Sequence, residues 1–302
     1  IDASEVCIGA SDRCLGHGGF GLVTSGTFQG MPIALKAPLK IVRSELSLAH
    51  IGNELRILRR LRHPHIMLCH GAMIDSFCGE VALVLELVRG QPMDQFIENV
   101  KQGEQMPSCD ARCQCLLGIC RALAYLHSRK PQIVHGDLKA SNIMIQHLRG
   151  SLVEPEYAHA KLLDFGLARV LTQRAESLGG TIRWKAPELF ARAKVKPDRA
   201  ADVHSFGCLL FFTVSGEQPY AGLTKEIIKT MRRRGSPLRL RWAVGTSLIG
   251  QCRMMVEQAT AQNPTMRPSM QQITEDLFQW PEIRQAHAHE YGVMPDAVDA
   301  ID

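Results

Sequence analysis

The feature that most constrains the fold of this chain is a change in hydrophobic pattern near residue 90. Before that point, residues 12–42 alternate short β-type runs with glycine turns, which is typical of antiparallel hairpins. After it, apolar residues recur at helical spacing in long segments such as "ARCQCLLGICRALAYLHS". Strands followed by helices are typical of an α+β fold. We therefore expect a small antiparallel β-sheet in an N-terminal lobe and a larger, mainly helical C-terminal lobe.

One helix is predicted inside the β-rich part. The segment "SELSLAHIGNELRILRRLRH" carries apolar residues at steps of three and four, namely Leu48, Ile51, Leu55, Leu58 and Leu61. Pro64 is expected to end this helix. Two strand-like runs follow, near 66–74 and 80–88. The N-terminal lobe should thus contain a sheet and one helix.

Further helices are predicted in the segments "ADVHSFGCLLFFTVSG", "SLIGQCRMMVEQAT" and "SMQQITEDLFQW". The first is apolar nearly all round, which predicts a buried helix. Residues 131–185 are predicted as short strands and loops, with an extended hairpin or surface loop at "QHLRGSLVEPEYAHA". Residues 284–302 have little apolar periodicity and are predicted to form a partly disordered tail.

Composition narrows the functional classes. The net charge of +5 suits an anionic ligand but does not by itself indicate nucleic acid. No run of about 18 apolar residues occurs, so no membrane segment is predicted. The 10 cysteines form no C-x-x-C pair, which favours reduced thiols and a location in the cytoplasm, or on the cytoplasmic side of a larger protein. Because the chain starts at Ile1 and not at Met, we expect it to be part of something longer.

A glycine-rich loop is the first motif with a chemical meaning. The segment "GHGGFGLV", Gly16–Val23, fits G-x-G-x-x-G-x-V. Since β-type residues follow it, a strand–turn–strand loop is favoured over the strand–turn–helix of a dinucleotide-binding fold. Such a loop offers backbone N–H groups to phosphates. Val23 would then cover the base of a nucleotide.

A lysine in an apolar strand raises the question of its partner. Lys36 ends the run "IALK", where a charge must be paired or must reach solvent. Glu54 lies near the middle of the predicted helix, beside its apolar stripe, so an ion pair between strand and helix would satisfy both groups. Taken singly, the two residues are better explained as surface charges.

Three further motifs carry residues suited to phosphoryl transfer. The segment "HGDLKASN" contains Asp137, Lys139 and Asn142, "LLDFG" contains Asp164, and "KAPE" ends at Glu188. A strand-end Asp and an Asn are oxygen ligands suited to Mg²⁺. A loop Asp can orient a substrate hydroxyl and accept its proton, and a lysine beside it can neutralise charge on a moving phosphoryl group.

Together, and in this order, the motifs resemble those of the eukaryotic protein kinases over roughly residues 10–283. The resemblance implies a bilobal α+β kinase fold, with an N-lobe at 10–87, a hinge at 86–90 and a C-lobe at 91–283. Residues 1–9 would be an N-terminal flank that precedes the domain, and the tail described above would follow it. The resemblance also implies ATP and Mg²⁺ as cofactors and proteins with Ser or Thr acceptors as substrates.

The resemblance assigns a role to each of these side chains. Lys36 would contact the α- and β-phosphates, Glu54 would hold Lys36, and Asp137 would be the catalytic base, with Lys139 beside it. Asn142 and Asp164 would bind Mg²⁺. The nucleotide site implied in this way comprises Leu15, Gly16, Gly18, Gly21, Val23, Ala34, Lys36, Glu86, Val88, Met144 and Asp164.

Three other residues acquire a role only through the resemblance. Leu85 in "LVLELV" would be the gatekeeper residue before the hinge. Asp202 in "DVHSFG" would brace the catalytic loop from a buried helix. Arg267 would form an ion pair with Glu188 that holds the activation segment.

The subclass rests on two segments. Lys139 in "HGDLKASN" and the segment "GGTIRWKAPE" resemble the tyrosine-kinase-like (TKL) branch of the Ser/Thr kinases. In that pattern Thr181 lies near the catalytic Asp and helps to admit hydroxyl-bearing substrates. Lys185 departs from the pattern, since the branch typically has Met there, and this could alter the preference near the phosphoacceptor.

Gly136 stands where the family's His-Arg-Asp motif has Arg. In kinases regulated by activation-loop phosphorylation this Arg pairs with the phosphate, and glycine cannot do so. One interpretation is a tolerated turn glycine; the resemblance favours a kinase that is not gated through this Arg. We therefore expect that the main on-switch is not phosphorylation of Thr172, Ser177 or Thr181. Arg169 or Arg174 could still bind a phosphate.

Two rival functions stay open. A pseudokinase that acts as a nucleotide-binding scaffold would be expected to have lost at least one of the motif residues, and all are present: Lys36, Glu54, Asp137, Asn142 and Asp164. Basic clusters at 56–63 and 231–241 could follow a phosphate backbone. They are better explained as the polar side of a helix and a solvated surface loop, since no aromatic residues are interleaved for base stacking. We expect no nucleic-acid partner, and no oligomeric state is indicated.

Overall fold

The computed structural model describes most of the chain, and the account that follows is confined to the described residues. These are residues 1–8, 14–18, 21–37, 45–75, 80–98, 106–148, 157–170, 181–190, 197–236, 240–242 and 247–291.

The N-terminal lobe is built on an antiparallel sheet, as the glycine-punctuated pattern predicts. Its strands are β1 (Val6–Cys7), β2 (Cys14–Gly18), β3 (Gly21–Phe28), β4 (Met31–Ala37), β5 (Cys69–Asp75) and β6 (Glu80–Glu86). The strand order is β1-β3-β4-β6-β5, with β2 paired to β3. Every one of these pairs is antiparallel. The two strand-like runs predicted near 66–74 and 80–88 are confirmed as β5 and β6.

The two faces of this sheet are buried by different parts of the chain. Alternate residues of a strand point to opposite faces, and those on the inner face of β4 and β6 join the main core, among them Ala34, Leu83 and Leu85. Those on the outer face form a second cluster with the start of the chain: Ile33, Leu35, Ala82 and Val84 with Ile1 and Val6. The N-terminal residues 1–8, expected to be a flank, are therefore a part of the sheet, because β1 pairs with β3.

Helix α1 (Glu45–Leu58) brings Glu54 beneath the sheet. Glu54 is buried on the same side of the helix as Ile51 and Leu58, as helical spacing requires. The predicted end of this helix at Pro64 is wrong. The helix ends at Leu58 because a turn follows in which the Leu61 N–H donates to the Leu58 carbonyl, and this turn buries Leu61 in the core.

The C-terminal lobe is mainly helical, as predicted. Its helices are α2 (Met93–Glu98), α3 (Cys109–Ser128), α4 (Arg199–Ser215), α5 (Lys225–Arg233), α6 (Ser247–Ala259), α7 (Met270–Leu277) and α8 (Pro281–Tyr291). Every residue of α4 from Ala201 to Val214 is buried, so the prediction of a buried helix is confirmed. None of the described helices has the length and apolar character needed to cross a lipid bilayer.

Short strands, one just before α2 and four between α3 and α4, carry the loops at the junction of the lobes. They are β7 (Gln91–Pro92), β8 (Ile133–Val134), β9 (Ile143–Leu148), β10 (Tyr157–Leu162) and β11 (Arg169–Val170). Strands β9 and β10 pair from Ile143 opposite Leu162 to Leu148 opposite Tyr157, which confirms the extended hairpin. The residues that connect them, 149–156, lie outside the described part.

Helix α5 corrects the interpretation of the basic cluster at 231–241 as a solvated loop. The cluster begins inside α5, and Arg232 is only 2% exposed. Its guanidinium lies 4.9 Å from the centre of the Tyr220 ring, and its Nη2 donates to the Nε2 of His204 at 3.0 Å. The interpretation is wrong for Arg232, because an aromatic ring and an imidazole distant in sequence make burial of this charge possible. It holds for Arg233, Arg234 and Arg241 of the same cluster, which are exposed.

Helix α8 corrects the prediction of a disordered tail from residue 284. The helix continues to Tyr291 and packs against α3. Ile283 and Ala286 are buried, and Gln114 of α3 donates to the backbone oxygen of Ala286. Among the α8 side chains whose burial the structure describes, two apolar ones, Ile283 and Ala286, are buried, and so the helical period was hard to see in the sequence. Residues 292–302 of the predicted tail lie outside the described part.

The packing of α8 predicts that Ile283 contributes to stability. The Ile283→Ala change should lower the free energy of unfolding by about 2–5 kcal/mol, because it leaves a cavity against α3. Urea denaturation of the purified chain measures this. Gln285→Ala on the exposed side of the same helix is the control, with an expected change within about 0.5 kcal/mol. Equal, small effects of both changes would show that α8 is not docked.

Candidate active site

A cleft of about 320 Å³ lies where the sheet meets the C-terminal lobe. Ten of the eleven residues predicted for a nucleotide line it: Leu15, Gly16, Gly21, Val23, Ala34, Lys36, Glu86, Val88, Met144 and Asp164. The eleventh, Gly18, lies in β2 opposite Gly21 of β3. Leu85, buried at the end of β6, also contributes to the wall. The structure thus brings together in one place residues that are far apart in the sequence.

The glycine-rich loop covers this cleft as a hairpin between β2 and β3. Gly18 and Gly21 are paired, with residues 19–20 between them outside the described part. Gly21 has φ +149°, and a Cβ at this position would lie 2.3 Å from the backbone oxygen of Ala37. Glycine is therefore required there by close approach of the backbone.

Lys36 in the middle of the cleft contacts two carboxylates at once. Its Nζ lies 2.9 Å from both Oε1 and Oε2 of Glu54 and 2.8 Å from Oδ1 of Asp164. Burial opposes the charged ammonium, but the two carboxylates outweigh that effect and raise the pKa of Lys36 above its ordinary value. The ion pair between Lys36 of β4 and Glu54 of α1, considered in the sequence analysis, is thus present. Through Asp164 it extends across the cleft to the C-terminal lobe.

Asp164 is turned into the cleft by an unusual backbone. Its φ is +54°, in the left-handed region that Asp tolerates better than most residues. The next residue, Phe165, is fully buried, with its ring 5.1 Å from the ring of His135. Burial opposes the charge of Asp164, but the ammonium of Lys36 outweighs it and lowers the pKa of this carboxyl. Asp164 is therefore held in place and ionised.

Asp137 lies on the loop between β8 and β9, and each of its carboxylate oxygens has a neighbour. The Thr181 backbone N–H donates to Oδ1 at 2.9 Å, and the Lys139 Nζ donates to Oδ2 at 2.8 Å. Lys139 also donates to the Thr181 Oγ1 at 3.0 Å. The Asn142 amide donates to the Asp137 backbone oxygen at 2.9 Å, which closes the loop. A carboxylate, an ammonium and a hydroxyl therefore share one small space.

The loop that carries Asp137 is fixed from below by Asp202 of α4. The backbone N–H groups of His135 and Gly136 donate to its two oxygens at 2.8 and 3.0 Å. His127 of α3 lies 2.9 Å from the same carboxylate. Asp202 is fully buried, and although burial opposes its charge, the hydrogen bond from His127 and its other donors lower its pKa. The carboxylate thus holds the loop through its backbone.

Gly136 adopts a conformation that favours glycine. Its φ is +79°, and a Cβ at this position would lie 2.9 Å from the backbone oxygen of Leu167. The same residue donates its N–H to Asp202, so its geometry is part of the loop's attachment. Glycine at position 136 therefore serves the local structure of the loop, apart from the absence of an arginine side chain that could bind a phosphate.

The end of the segment that follows Asp164 is anchored by arginines. The guanidinium of Arg267 makes two hydrogen bonds to the carboxylate of Glu188, at 2.8 and 2.7 Å. Arg183 donates to three backbone oxygens, those of Pro219, Tyr220 and Leu223. At its beginning, the Asn53 amide of α1 donates to the Ala168 oxygen. Thr172 and Ser177, considered above as phosphorylation sites, and Arg174, considered as a phosphate-binding residue, lie outside the described residues.

At the end of the cleft where the adenine of a nucleotide is expected, the side chain of Glu86 is held by two contacts. Its carboxylate accepts from the Lys161 ammonium and from the Leu68 N–H, the latter at 3.0 Å. Its own backbone N–H donates to the Leu68 oxygen at 2.9 Å. That N–H is thus engaged, and a contact from Glu86 to a base would have to use its carbonyl oxygen.

Sequence reasoning missed several positioning residues. His127, Lys161 and Asn53 each make a contact described above but belong to no recognisable motif. Arg183 stands in "GGTIRWKAPE", but no role was expected for it. Their partners are backbone oxygens or carboxylates far away in sequence, so a single sequence holds no signal for them. Of these residues, only Lys161 could have been singled out from the sequence. It is an isolated charge in the β-type run "YAHAKLL", and, as for Lys36, a charge in such a run needs a partner or access to solvent.

Asn142 and Asp164, two residues with oxygen-bearing side chains, are brought near each other by the backbone. The Leu163 N–H donates to the Asn142 backbone oxygen at 2.8 Å, which holds the residue before Asp164 against Asn142. Among the described residues, no group of three or more His, Cys, Asp or Glu side chains could hold a metal ion. One amide oxygen and one carboxylate nonetheless fit a hard divalent cation that takes its other ligands from phosphate and water.

A larger cavity, of about 620 Å³, lies elsewhere in the C-terminal lobe. It is bordered by the end of α3, the start of α4 and the start of α7. His127 and Arg267 line it, but their polar groups are already bound to Asp202 and Glu188. The smaller cleft is the better candidate for chemistry because it contains Lys36 and Asp164 and borders the catalytic loop.

The conformation of Gly136 predicts a cost for any side chain there. Gly136→Ala should lower the free energy of unfolding by about 1 kcal/mol or more, because alanine is strained at positive φ. Thermal or urea unfolding measures this. Gly52→Ala is the matched control, because Gly52 is exposed within α1 with open space around its Cα. That change should stabilise the chain by about 0.5–1 kcal/mol. A neutral or stabilising Gly136→Ala would contradict the account.

Comparison with known proteins agrees with this geometry. The sequence pattern of the family described as "Protein kinase domain" matches residues 10–279. Mitogen-activated protein kinase kinase kinase 11 of Rattus norvegicus is 30% identical over 70% of this chain and 24% of its own length. Serine/threonine-protein kinase VIK of Arabidopsis thaliana is 29% identical over 68% of this chain and 46% of its own length. U-box domain-containing protein 70 of Oryza sativa subsp. japonica is 31% identical over 73% of this chain and 26% of its own length.

The chain spans less than half the length of these relatives, between 24% and 46%. The match to the family covers most of the chain, and both the two-lobed α+β fold and the names of the kinase relatives agree with it. The chain therefore belongs to the protein kinase family.

Proposed function

We propose that this chain is a catalytically competent kinase domain that transfers the γ-phosphate of ATP to Ser and Thr hydroxyls of proteins. The observation that carries the proposal is the contact of Lys36 with both Glu54 and Asp164. It joins the strand that reaches the phosphates, the helix behind it and the residue suited to a metal. A domain kept only as a scaffold has no need to maintain two buried charges, Lys36 and Glu54, in one contact with the half-buried Asp164.

In this proposal the cleft binds the nucleotide. The apolar side chains of Val23, Ala34 and Met144 suit the faces of an adenine ring. Lys36 is held charged and can contact phosphate oxygens. Asn142 and Asp164 would hold Mg²⁺, and the ion when bound supplies charge neutralisation at the phosphate oxygens.

The acceptor end falls to Asp137 and its neighbours. Its carboxylate is placed to orient an incoming hydroxyl and to accept the proton that the hydroxyl loses. Lys139, 2.8 Å from that carboxylate, can neutralise charge that develops on the transferred group. Because Asp202 fixes the backbone of this loop, these groups need no rearrangement when the acceptor arrives.

Thr181 supports acceptors of the Ser/Thr kind and a place in the TKL branch. Its hydroxyl accepts from Lys139, and its N–H donates to Asp137, so it narrows the space beside the base. A short aliphatic hydroxyl can approach such a space more readily than a phenol.

A cytoplasmic location is part of the proposal, and the buried thiols Cys115 and Cys120 of α3, packed as small apolar side chains, are in keeping with it.

The role of Asp137 predicts a large loss of transfer when its carboxylate becomes an amide. Asp137→Asn should lower phosphate transfer to a generic Ser/Thr acceptor by about 10²-fold or more, because the base is removed. Radiolabel transfer from ATP measures this, and ATP binding should stay within a few-fold. Asp276→Asn, exposed on α7, is the control and should transfer as the unmodified chain does. Equal transfer by Asp137→Asn would favour the scaffold alternative.

Gly136 predicts that activity does not require a phosphorylated activation segment. The contacts that order the site are made by Lys36, Asp202 and Arg267, and position 136 contributes no side chain to them. A phosphatase-treated sample, checked by mass spectrometry, should keep most of its initial rate toward an acceptor peptide. Loss of nearly all activity, restored by autophosphorylation, would contradict this.

A further inference from the structure

Helix α5 carries a row of three cations that the chemistry proposed above does not use. Lys225, Lys229 and Arg233 stand four residues apart, so their side chains follow one another along one side of the helix. Lys225 and Arg233 are exposed, and Lys229 is half-buried. We call these three residues the basic ridge.

The basic ridge does not stabilise the helix that carries it. Like charges four residues apart weaken an α-helix, and a cation at the first helical position, as Lys225 is, opposes the helix dipole. Glu226 is the only acidic residue of α5. In the described part of the chain none of the three cations forms an ion pair, with Glu226 or with any other carboxylate. The helix therefore carries a row of charges that its own stability does not explain.

The inner side of α5 is fixed in the core of the C-terminal lobe. Ile228 is fully buried, and Arg232 is held by the Tyr220 ring and the His204 imidazole. The helix also lies next to the short helical turn Pro187–Phe190, which ends the segment that begins beside Asp137. The fold therefore sets the orientation of the basic ridge relative to this segment.

Arg183 connects the start of α5 to the proposed site of transfer. Its guanidinium donates to the backbone oxygen of Leu223 at 3.1 Å, and Leu223 precedes Lys225 by two residues. Two residues before Arg183, the Thr181 N–H donates to the Asp137 carboxylate at 2.9 Å. The spans along this path place Lys225 no more than about 30 Å from Asp137, a distance that about nine residues of an extended chain cover.

The spacing of the basic ridge suits an extended acidic segment. Residues four apart in an α-helix advance by about 6 Å along its axis. In an extended chain, side chains on the same side recur every two residues, at about 6.5–7 Å. Carboxylates at alternate positions of such a chain can therefore meet successive cations of the ridge and form charge-assisted hydrogen bonds with them.

A nucleic acid is the other polyanion that a row of cations can bind. Proteins hold single strands with aromatic side chains on which the bases stack, in addition to a basic surface. No residue of α5 is aromatic, and Tyr220, whose ring contacts Arg232, is buried. The surface around the basic ridge thus favours an acidic protein segment as its partner.

We propose that the basic ridge binds an acidic segment of the acceptor protein, within about nine residues of the Ser or Thr hydroxyl that receives the phosphate. The proposal rests on the proposed kinase function, since it names the substrate class of that same site. Through Arg233 it gives a role to part of the basic cluster at 231–241. A ridge that is only solvated would leave the choice of peptide unaffected.

Peptide binding is measured first, so that the test does not depend on catalysis. Fluorescent peptides carry Ala in place of the acceptor residue and, about four to nine residues away on either side, three Glu at alternate positions or three Gln in their place. Their affinities for the unmodified chain are compared with those for Lys229→Glu and for the triple ridge variant Lys225→Gln, Lys229→Gln and Arg233→Gln. The matched control removes the same charge at three exposed positions outside α5, by combining Arg59→Gln, Arg60→Gln and Lys130→Gln. Thermal unfolding verifies that each variant is folded.

The unmodified chain should bind the Glu peptide about 5- to 10-fold more tightly than its Gln counterpart on at least one side, as expected for three exposed ion pairs. This preference should weaken as salt is raised. It should vanish in the triple ridge variant, fall in Lys229→Glu and persist in the control variant. Where the triple ridge variant does not fold, Lys229→Glu decides the matter.

Three results would overturn the proposal. The first is no measurable binding, or no preference for Glu, in the unmodified chain. The second is a preference for Glu that survives loss of the ridge charges. The third is a single-stranded RNA oligonucleotide that binds through the ridge more tightly than the Glu peptide does, because the partner would then be a nucleic acid.

A second arm separates this proposal from the kinase function. The same peptides with Ser in place of Ala are tested for phosphate transfer, and the ratio of kcat/KM for the Glu and Gln peptides should follow the binding ratio, mainly through KM. Absence of transfer to every Ser peptide, with the binding preference intact, would overturn the kinase function and leave the assignment of the basic ridge standing. Transfer at equal kcat/KM to Glu and Gln peptides would overturn the assignment of the ridge alone.

Discussion

A single buried carboxylate, that of Asp202, holds together the part of the molecule on which transfer depends. It lies in α4, whose residues from Ala201 to Val214 are all buried, so its position is set by the core. Through two backbone N–H groups it fixes the loop whose next residue is Asp137. Asp137, the proposed catalytic base, is thus placed by the main chain, and position 136 can be glycine without loss of the loop's attachment.

A second set of contacts, on the other side of the cleft, consists of ion pairs. Lys36 joins Glu54 of the N-terminal lobe to Asp164 of the C-terminal lobe, and in a buried setting such a contact is worth keeping only when every charge is paired. The Leu163–Asn142 hydrogen bond connects this set of contacts to the catalytic loop. Nucleotide binding and acceptor activation are therefore built on neighbouring but separate anchors, and a change in one need not disable the other.

The sequence predicted the parts that depend on local pattern or on a paired charge. The hairpins and the buried α4 follow from glycine spacing and hydrophobic period. The cost of an unpaired charge in an apolar strand only suggested the Lys36–Glu54 contact, and the resemblance of the motifs to those of kinases decided it. The burial of Arg232 could not be predicted, because its ring partner and its imidazole lie on other elements. The positive φ of Gly136 was equally hidden, since glycine in a loop is compatible with many conformations.

The central claim, that Asp202 positions the acceptor chemistry and not the nucleotide, is tested most directly by Asp202→Asn. The carboxylate of Asp202 has two oxygens that accept from three donors, namely His127 and the backbone N–H groups of His135 and Gly136. An amide at this position has one oxygen for the same donors. The account predicts that kcat for peptide phosphorylation falls by about 10-fold or more, while the Kd for ATP, measured by calorimetry, changes less than about 3-fold, since only interactions made in the transition state are lost. An unchanged kcat, or a loss of ATP affinity as large as the loss of kcat in a folded protein, would contradict it.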